Sequence, residues 1–324
     1  MIRVLVIAET MRGRVTVPTC ELLGLARSLA GQAGGAVAAA LLGSGGVAEE
    51  LIARGADTVY VAEHDSLGEY HADAWIPVLT RICRQAASDA VLICHNATGS
   101  DLAPRLAFRL GTAVATGCVE VAVNAGRFVL TRPCYGGNAR EVVSFKTMPA
   151  IATVRPGCYD VLASDASRKG KMERVRAEFD VSAIRTRNVG HTRDAGEGRR
   201  LEDAKIIVAG GRGLNGADGF RVLADLAHVL GGAVGASRVP CDLGWCPRSW
   251  QIGLTGRTVT PELYIAVGIS GAGHHMAGCC NAKAIVAVNT DPEAAIFRDA
   301  RYGVVGDYQR FIPALISEVE KLRG

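Results

Sequence analysis

KIIVAGGRGLNGADGF (Lys205–Phe220) runs from an apolar, strand-like stretch through a glycine loop into the start of a helical pattern. Gly211, Gly213 and Gly216 spell G-x-G-x-x-G in the strand–loop–helix setting that a dinucleotide loop requires. Glycines let the backbone approach a pyrophosphate, the helix start contributes partial positive charge, and Arg212 inside the loop adds charge-assisted hydrogen bonds. A nicotinamide enzyme then places an acidic residue at the end of the next strand to hold the ribose. Here AVGAS (233–237) leads instead into Ser237 and Arg238. That substitution argues against NAD, leaves NADP open, and suits FAD bound in a different pose.

Outward from this loop, the apolar runs ELYIAVG (262–268) and AIVAVN (284–289) and helical patterns over 217–230, 270–278 and 308–322 complete a doubly wound domain. Toward the N-terminus, VLVIAE, AVAAALLG, TVYVAE and AVLICH alternate with helical segments over 18–33, 48–54 and 74–87, the rhythm of βαβ units on a parallel sheet. Ser100 reads as the N-cap of a further helix. The stretches from Gly117 to Phe145 and AIATVRPG (150–157) read as antiparallel additions, and residues 164–202, more charged, as one or two peripheral strands and a linker. The expected fold is α/β with two domains: a parallel-sheet domain with antiparallel additions over 1–190, a linker over 191–203, and a doubly wound domain carrying the glycine loop over 204–324.

Composition narrows the function. Apolar residues at 49% of 324 supply material for two cores, while a net charge of +4 is too small to mark a nucleic-acid partner. No run approaches a membrane span, and MIRVLVIAE opens as a buried strand rather than a leader, so a cytoplasmic location is expected. The ten cysteines are scattered, with Cys83, Cys94 and Cys118 in apolar contexts, which favours reduced core thiols. Cys241 with Cys246, and Cys279 with Cys280, lack the spacing of a metal site, so none is expected. His95, Ser100 and Asp101 lie close in sequence, but at a strand end and helix start, where hydroxyl and carboxylate serve as caps rather than as a hydrolytic set.

GGRGLNGADGF, VGASR, IGLTGRTVTPELYIAVGISGAGHHMAG and VAVNTDPEAAIF together resemble the FAD-binding domain of electron transfer flavoprotein alpha subunits, and SDLAPRLA resembles a helix start in that family's first domain. The resemblance implies FAD as cofactor and an electron carrier without substrate turnover of its own. It assigns Arg212, Ser237 and Arg238 to the cofactor, with Arg238 near the isoalloxazine, and sets the Thr255 hydroxyl at flavin N5. Ile252, Gly253 and Leu254 accompany Thr255; Leu254 stands where the family has glutamine, leaving backbone groups of Ile252 and Gly253 to serve. Ser270, Gly271, Ala272, Gly273 and His274 would wrap the diphosphate and ribityl chain, with His274 in place of a usual glutamine. His275 would hydrogen-bond the pyrimidine O2, and Asn289, Asp307 and Tyr308 would lie on the adenosine side.

A positive charge about 4 Å from the ring, at an effective dielectric near 20, is worth about 4 kcal/mol, and about 1.4 kcal/mol moves a one-electron potential by roughly 59 mV. Arg238 is therefore expected to tune the potential by on the order of 100 mV. The implied partners are an electron transfer flavoprotein beta subunit, an acyl-CoA or related dehydrogenase as in fatty acid beta-oxidation, and a quinone reductase-type acceptor, in a heterodimer. The residues alone also admit an NADP-dependent oxidoreductase, or a cofactor-free subunit that keeps the fold for assembly.

Overall fold

A computed structural model describes residues 2–135, 139–190, 201 and 204–323. The chain divides into two compact units, one of residues 1–133 and 140–190, the other of residues 134–139 and 191–324. The expected linker over 191–203 lies outside the described residues except for Leu201, whose side chain is buried in the second unit's core.

The first unit contains β1 (Arg3–Ile7), β2 (Thr10–Met11), β3 (Arg14–Val15), α1 (Val17–Ala33), β4 (Ala36–Leu42), α2 (Ala48–Ala53), β5 (Thr58–Ala62) and α3 (Ala72–Gln85). It continues through β6 (Ala90–Cys94), α4 (Ala97–Leu110), β7 (Val114–Cys118), β8 (Glu120–Asn124), β9 (Arg127–Cys134), β10 (Ala139–Ser144), β11 (Ala150–Val154) and β12 (Lys171–Arg174). Seven strands form a parallel sheet in the order β12-β5-β4-β1-β6-β11-β7, and β10-β9-β8 form a separate sheet. Strands such as AVLIC and AIATV are buried at every residue, as expected where both faces of a parallel sheet are covered. One face packs α1 and α2, the other α3 and α4. The Thr16 hydroxyl accepts the Thr19 N–H to open α1, and Gly34, at φ 61°, closes it.

Two expectations change here. AIATV is not an antiparallel addition; β11 inserts between β6 and β7 and is parallel to both. Its five buried residues lack the in–out alternation of a half-covered hairpin. Nor is Ser100 a cap: Asn96 is, its side-chain oxygen accepting the Gly99 N–H at 2.8 Å, while the Ser100 N–H already bonds Asn96 O at 2.9 Å as a helical turn. The charged stretch after residue 164 does supply a peripheral strand, β12, paired with β5.

The second unit contains β13 (Ile206–Gly210), α5 (Asp218–Leu230), β14 (Ala233–Ala236), α6 (Arg238–Asp242), β15 (Leu263–Val267), α7 (Gly273–Met276), β16 (Ile285–Asn289), β17 (Tyr302–Val305) and α8 (Tyr308–Arg323). Its five parallel strands run β14-β13-β15-β16-β17. This is the doubly wound order 2-1-3-4-5, whose direction reverses between β13 and β15. Helices α5 and α8 cover one face; α7, the segment near Ile296 and Leu201 cover the other. The expected helix over 270–278 shrinks to four residues because Gly271, at φ 83°, sits where a Cβ would meet Ile296 N at 2.2 Å. Among the described residues no helix is long and apolar enough to cross a membrane.

Candidate functional site

In an open parallel sheet the loops that leave neighbouring strands on opposite sides open a crevice at their carboxyl ends. In the second unit that crevice is a cleft of about 770 Å³ between the loops after β13 and β15, within the usual size range of ligand pockets. Arg212, Ser237, Arg238, Ser270, Ala272, His274, His275, Asn289, Asp307 and Tyr308 line it, all of them singled out from the sequence. Asn215, Val239, Thr290, Asp291 and Gln309 also line it and were not anticipated; each lies one to three residues from an anticipated neighbour.

The glycines act differently from a dinucleotide fingerprint. Gly211 N–H donates to Val267 O and Gly213 N–H to Gly268 O, at 2.9 and 3.0 Å. A Cβ on Gly211 would fall 2.1 Å from Gly268 O, and one on Gly213 2.8 Å from Gly268 Cα. The two loops therefore close on each other across a seam without side chains, and a short 3-10 turn at Arg212–Leu214 separates the loop from α5. Arg212, Gly213 and Asn215 of the loop line the cleft, and Arg212 is exposed and without an ion-pair partner among the described residues.

After β15 the chain leaves further donors on the cleft wall. The N–H groups of Ser270, Gly271 and Ala272 donate to no acceptor among the described residues, and Asn289 holds their loop by donating from Nδ2 to Ile269 O at 3.0 Å. Asn289 Oδ1 accepts the Asp291 N–H and Asp307 Oδ1 the Gln309 N–H, so both shape turns at the far end. Tyr308 is buried, its hydroxyl donating to Leu214 O at 3.0 Å, which ties α8 to the glycine loop.

His275 is buried with both ring nitrogens engaged. Because a carbonyl only accepts, Nδ1 carries the proton and donates to Ile252 O at 3.0 Å, while Nε2 accepts the Tyr264 hydroxyl at 2.9 Å. Burial holds its pKa down to about 4, against the weaker opposing pull of the Ile252 carbonyl. In this arrangement no ring N–H remains to reach a flavin O2, and a direct contact requires His275 to leave one of these partners. Thr255, Leu254, Gly253 and Ile252 do not line the cleft. The N–H groups of Ile252, Gly253 and Leu254 donate to Ala236 O, Arg257 O and His274 O, so Ile252 and Gly253 have no amide to offer in place of a glutamine. Thr255 Oγ1 accepts from Gln251 Nε2 at 2.9 Å, and Leu254 is 56% exposed. Gly271 and Gly273 likewise stand outside the lining.

Arg238 is on the cleft wall but its Nε donates to Asp242 at 3.0 Å, four residues on, and Arg248 lies 3.8 Å from the same carboxylate. Away from the cleft, His95 Nδ1 meets Thr153 Oγ1, and Asp101 receives Tyr70 and Arg105. Neither partners Ser100. Among the described residues no three His, Cys, Asp or Glu side chains converge as a metal set.

The donor set fits a diphosphate-bearing cofactor: an unpaired guanidinium at Arg212, the open amides of Ser270 and Ala272, and Ser237, whose side chain makes no cap bond to α6, line one cleft. Comparison with known proteins points the same way. Residues 4–180 match the electron transfer flavoprotein domain and residues 200–280 the electron transfer flavoprotein FAD-binding domain. The chain is 42% identical over 322 residues to the electron transfer flavoprotein subunit alpha of Bacillus subtilis, covering 99% of this chain and 98% of that one. It is 40% identical to the subunit alpha of Thermoanaerobacterium thermosaccharolyticum, covering 98% of each. It is 36% identical to Protein FixB of Clostridium saccharobutylicum, covering 98% of this chain and 96% of that one.

Proposed function

Because the chain belongs to the family of electron transfer flavoprotein alpha subunits, we propose that it binds FAD in the switch-point cleft and, paired with a beta subunit, carries electrons between a dehydrogenase and a quinone reductase-type acceptor. Acyl-CoA dehydrogenases are the donors this reading favours, and the cytoplasm its location. The observation that carries the reading is the pairing of unpaired Arg212 with the open amides of Ser270 and Ala272 on one cleft. Bound FAD supplies a redox centre that accepts electrons in pairs and releases them singly.

The chain's own groups have distinct parts in this. Arg212 and the amides of Ser270 and Ala272 hold anionic phosphate oxygens by charge-assisted hydrogen bonds. Ser237 presents its hydroxyl at the end of β14, with its N–H anchored on Gly210 O at 2.9 Å. Arg238 places positive charge on the wall, moderated by Asp242, and so biases the site toward a negatively charged reduced ring. His275, buried in the cleft lining, fixes the segment bearing Leu254 by donating from Nδ1 to Ile252 O.

The test is the visible spectrum of the protein, copurified with a co-expressed beta subunit, during stepwise anaerobic reduction. Flavin bands that bleach in two separable stages are the expected result. Protein that stays colourless after incubation with FAD would overturn the reading and leave a subunit that keeps the fold for assembly.

A further inference from the structure

Cys241 and Cys246 lie five residues apart, yet their sulfurs stand 3.5 Å from each other. The approach is built by the backbone. Helix α6 ends in a paired turn: Trp245 N–H donates to Pro240 O at 2.9 Å and Gly244 N–H to Cys241 O at 3.1 Å. Gly244 sits at φ 72°, the left-handed conformation that closes such an end. The reversal folds Cys246 back over Cys241, and Trp245 and Trp250 pack into the adjoining core.

The two thiols are not equivalent. Cys241 is partly exposed and Cys246 is buried. The hydrogen bond from Cys246 lowers the Cys241 thiol pKa against the opposing pull of burial and of the Asp242 carboxylate, and the same contact raises that of Cys246. Cys241 is thus the sulfur that loses its proton first and the one that a small solute can reach, with a second sulfur behind it.

We propose that Cys241 and Cys246 form a peroxide-sensitive dithiol at the end of α6, oxidised to an intramolecular disulfide by a hydroperoxide. The Cys241 thiolate attacks the peroxide, forming a sulfur–oxygen bond as the oxygen–oxygen bond breaks, and releases hydroxide or alkoxide. The Cys246 sulfur then attacks the Cys241 sulfenic acid; its proton leaves with the departing hydroxide as water. Two thiols lose two electrons, and one hydroperoxide is reduced to water and water or alcohol. The sulfurs must close from 3.5 Å to about 2.05 Å, a movement within reach of a side-chain rotation. The cross-link falls three residues after Arg238 and directly before Asp242, its ion-pair partner, so it fixes the segment that carries the cleft's guanidinium. This proposal does not depend on which cofactor the cleft holds.

The experiment treats the full-length protein with one equivalent of hydrogen peroxide, then counts thiols and maps peptides by mass spectrometry. The wild type is expected to lose two of its ten thiols, with the 241 and 246 peptides joined and the loss reversed by a dithiol reductant. Cys246→Ser is expected to trap a dimedone adduct on Cys241, and Cys241→Ser to leave Cys246 unmodified. Circular dichroism of both variants checks that each is folded, and Cys241→Ala and Cys246→Ala serve as replacements where a serine variant is not. Oxidation confined to other cysteines such as exposed Cys280, or a dimedone adduct distributed over Cys241 no more than over Cys280, would overturn the proposal.

Discussion

Lowering the pH should destabilise the second unit through His275, and the size of the effect follows from its surroundings. The imidazole would titrate near 6.5 in the unfolded chain, while burial brings its folded pKa down to about 4. Between those values the unfolded chain binds a proton that the native chain does not, so stability rises with pH across the window and is lost as pH falls. Each tenfold difference in proton affinity between the two states is worth about 1.36 kcal/mol, which puts the loss at about 2 kcal/mol by pH 5 and about 3 kcal/mol below pH 4. The groups packed on the ring do not titrate there: burial raises the Tyr264 hydroxyl and pushes the Cys279 thiol up to about 12. Urea unfolding followed by tryptophan fluorescence in a Trp75→Phe background, where Trp245 and Trp250 report on the second unit, is compared at about pH 7.5 and about pH 5 with and without His275→Gln. Other titrations cancel in the difference between the two proteins. The protein with His275 should lose about 2 kcal/mol more than the one without it. Equal losses would refute the claim that His275 is held neutral by burial.

Gly211→Ala should destabilise the second unit by about 1–3 kcal/mol in the same urea assay, because the new methyl meets a backbone carbonyl that has no flexible end to move. Arg212→Ala should weaken FAD binding by about 10- to 100-fold, the worth of a charged hydrogen bond, measured by flavin fluorescence on dilution; unchanged affinity would remove Arg212 from the phosphate site. Asp242→Asn should raise the flavin reduction potential by freeing Arg238 and deleting a nearby negative charge, read by anaerobic titration against a reference dye. Gly31→Ala, in α1 with nothing within 4 Å of the added methyl, should raise the stability of the first unit by about 0.5–1 kcal/mol by thermal melting.

The parallel sheets are legible because buried strands such as VLVI and AVLIC carry unbroken apolar runs between helical periods. AIATV carries the same signal yet reads as a hairpin strand because it follows hairpins; chain order is a weak guide to sheet order when an excursion such as β8–β10 intervenes. β17 escapes the sequence pattern because a mostly exposed edge strand of four residues shows no burial alternation. At the site, ten of the residues that the sequence singles out do share one cleft, since motif spacing places them at the carboxyl ends of known strands. Their roles are less legible. A glycine motif does not say whether its bare backbone faces a ligand or another loop, and Gly268, the residue that decides this, lies far along the chain. Likewise His275 gives no sign in the sequence that Tyr264 and Ile252 hold both its nitrogens.

The bond from Tyr308 to Leu214 spans 94 residues and sets a schedule for biosynthesis. A ribosome adding about 5–20 residues per second makes the glycine loop roughly 5–20 s before the tyrosine that braces it, and domains fold in order from the N-terminus as they emerge. The first unit can thus be complete while the cleft still lacks a wall. Loading of a cofactor becomes a late event in the life of the nascent chain, and a truncation between Gly190 and Tyr308 yields a product whose first unit is whole and whose cleft cannot close.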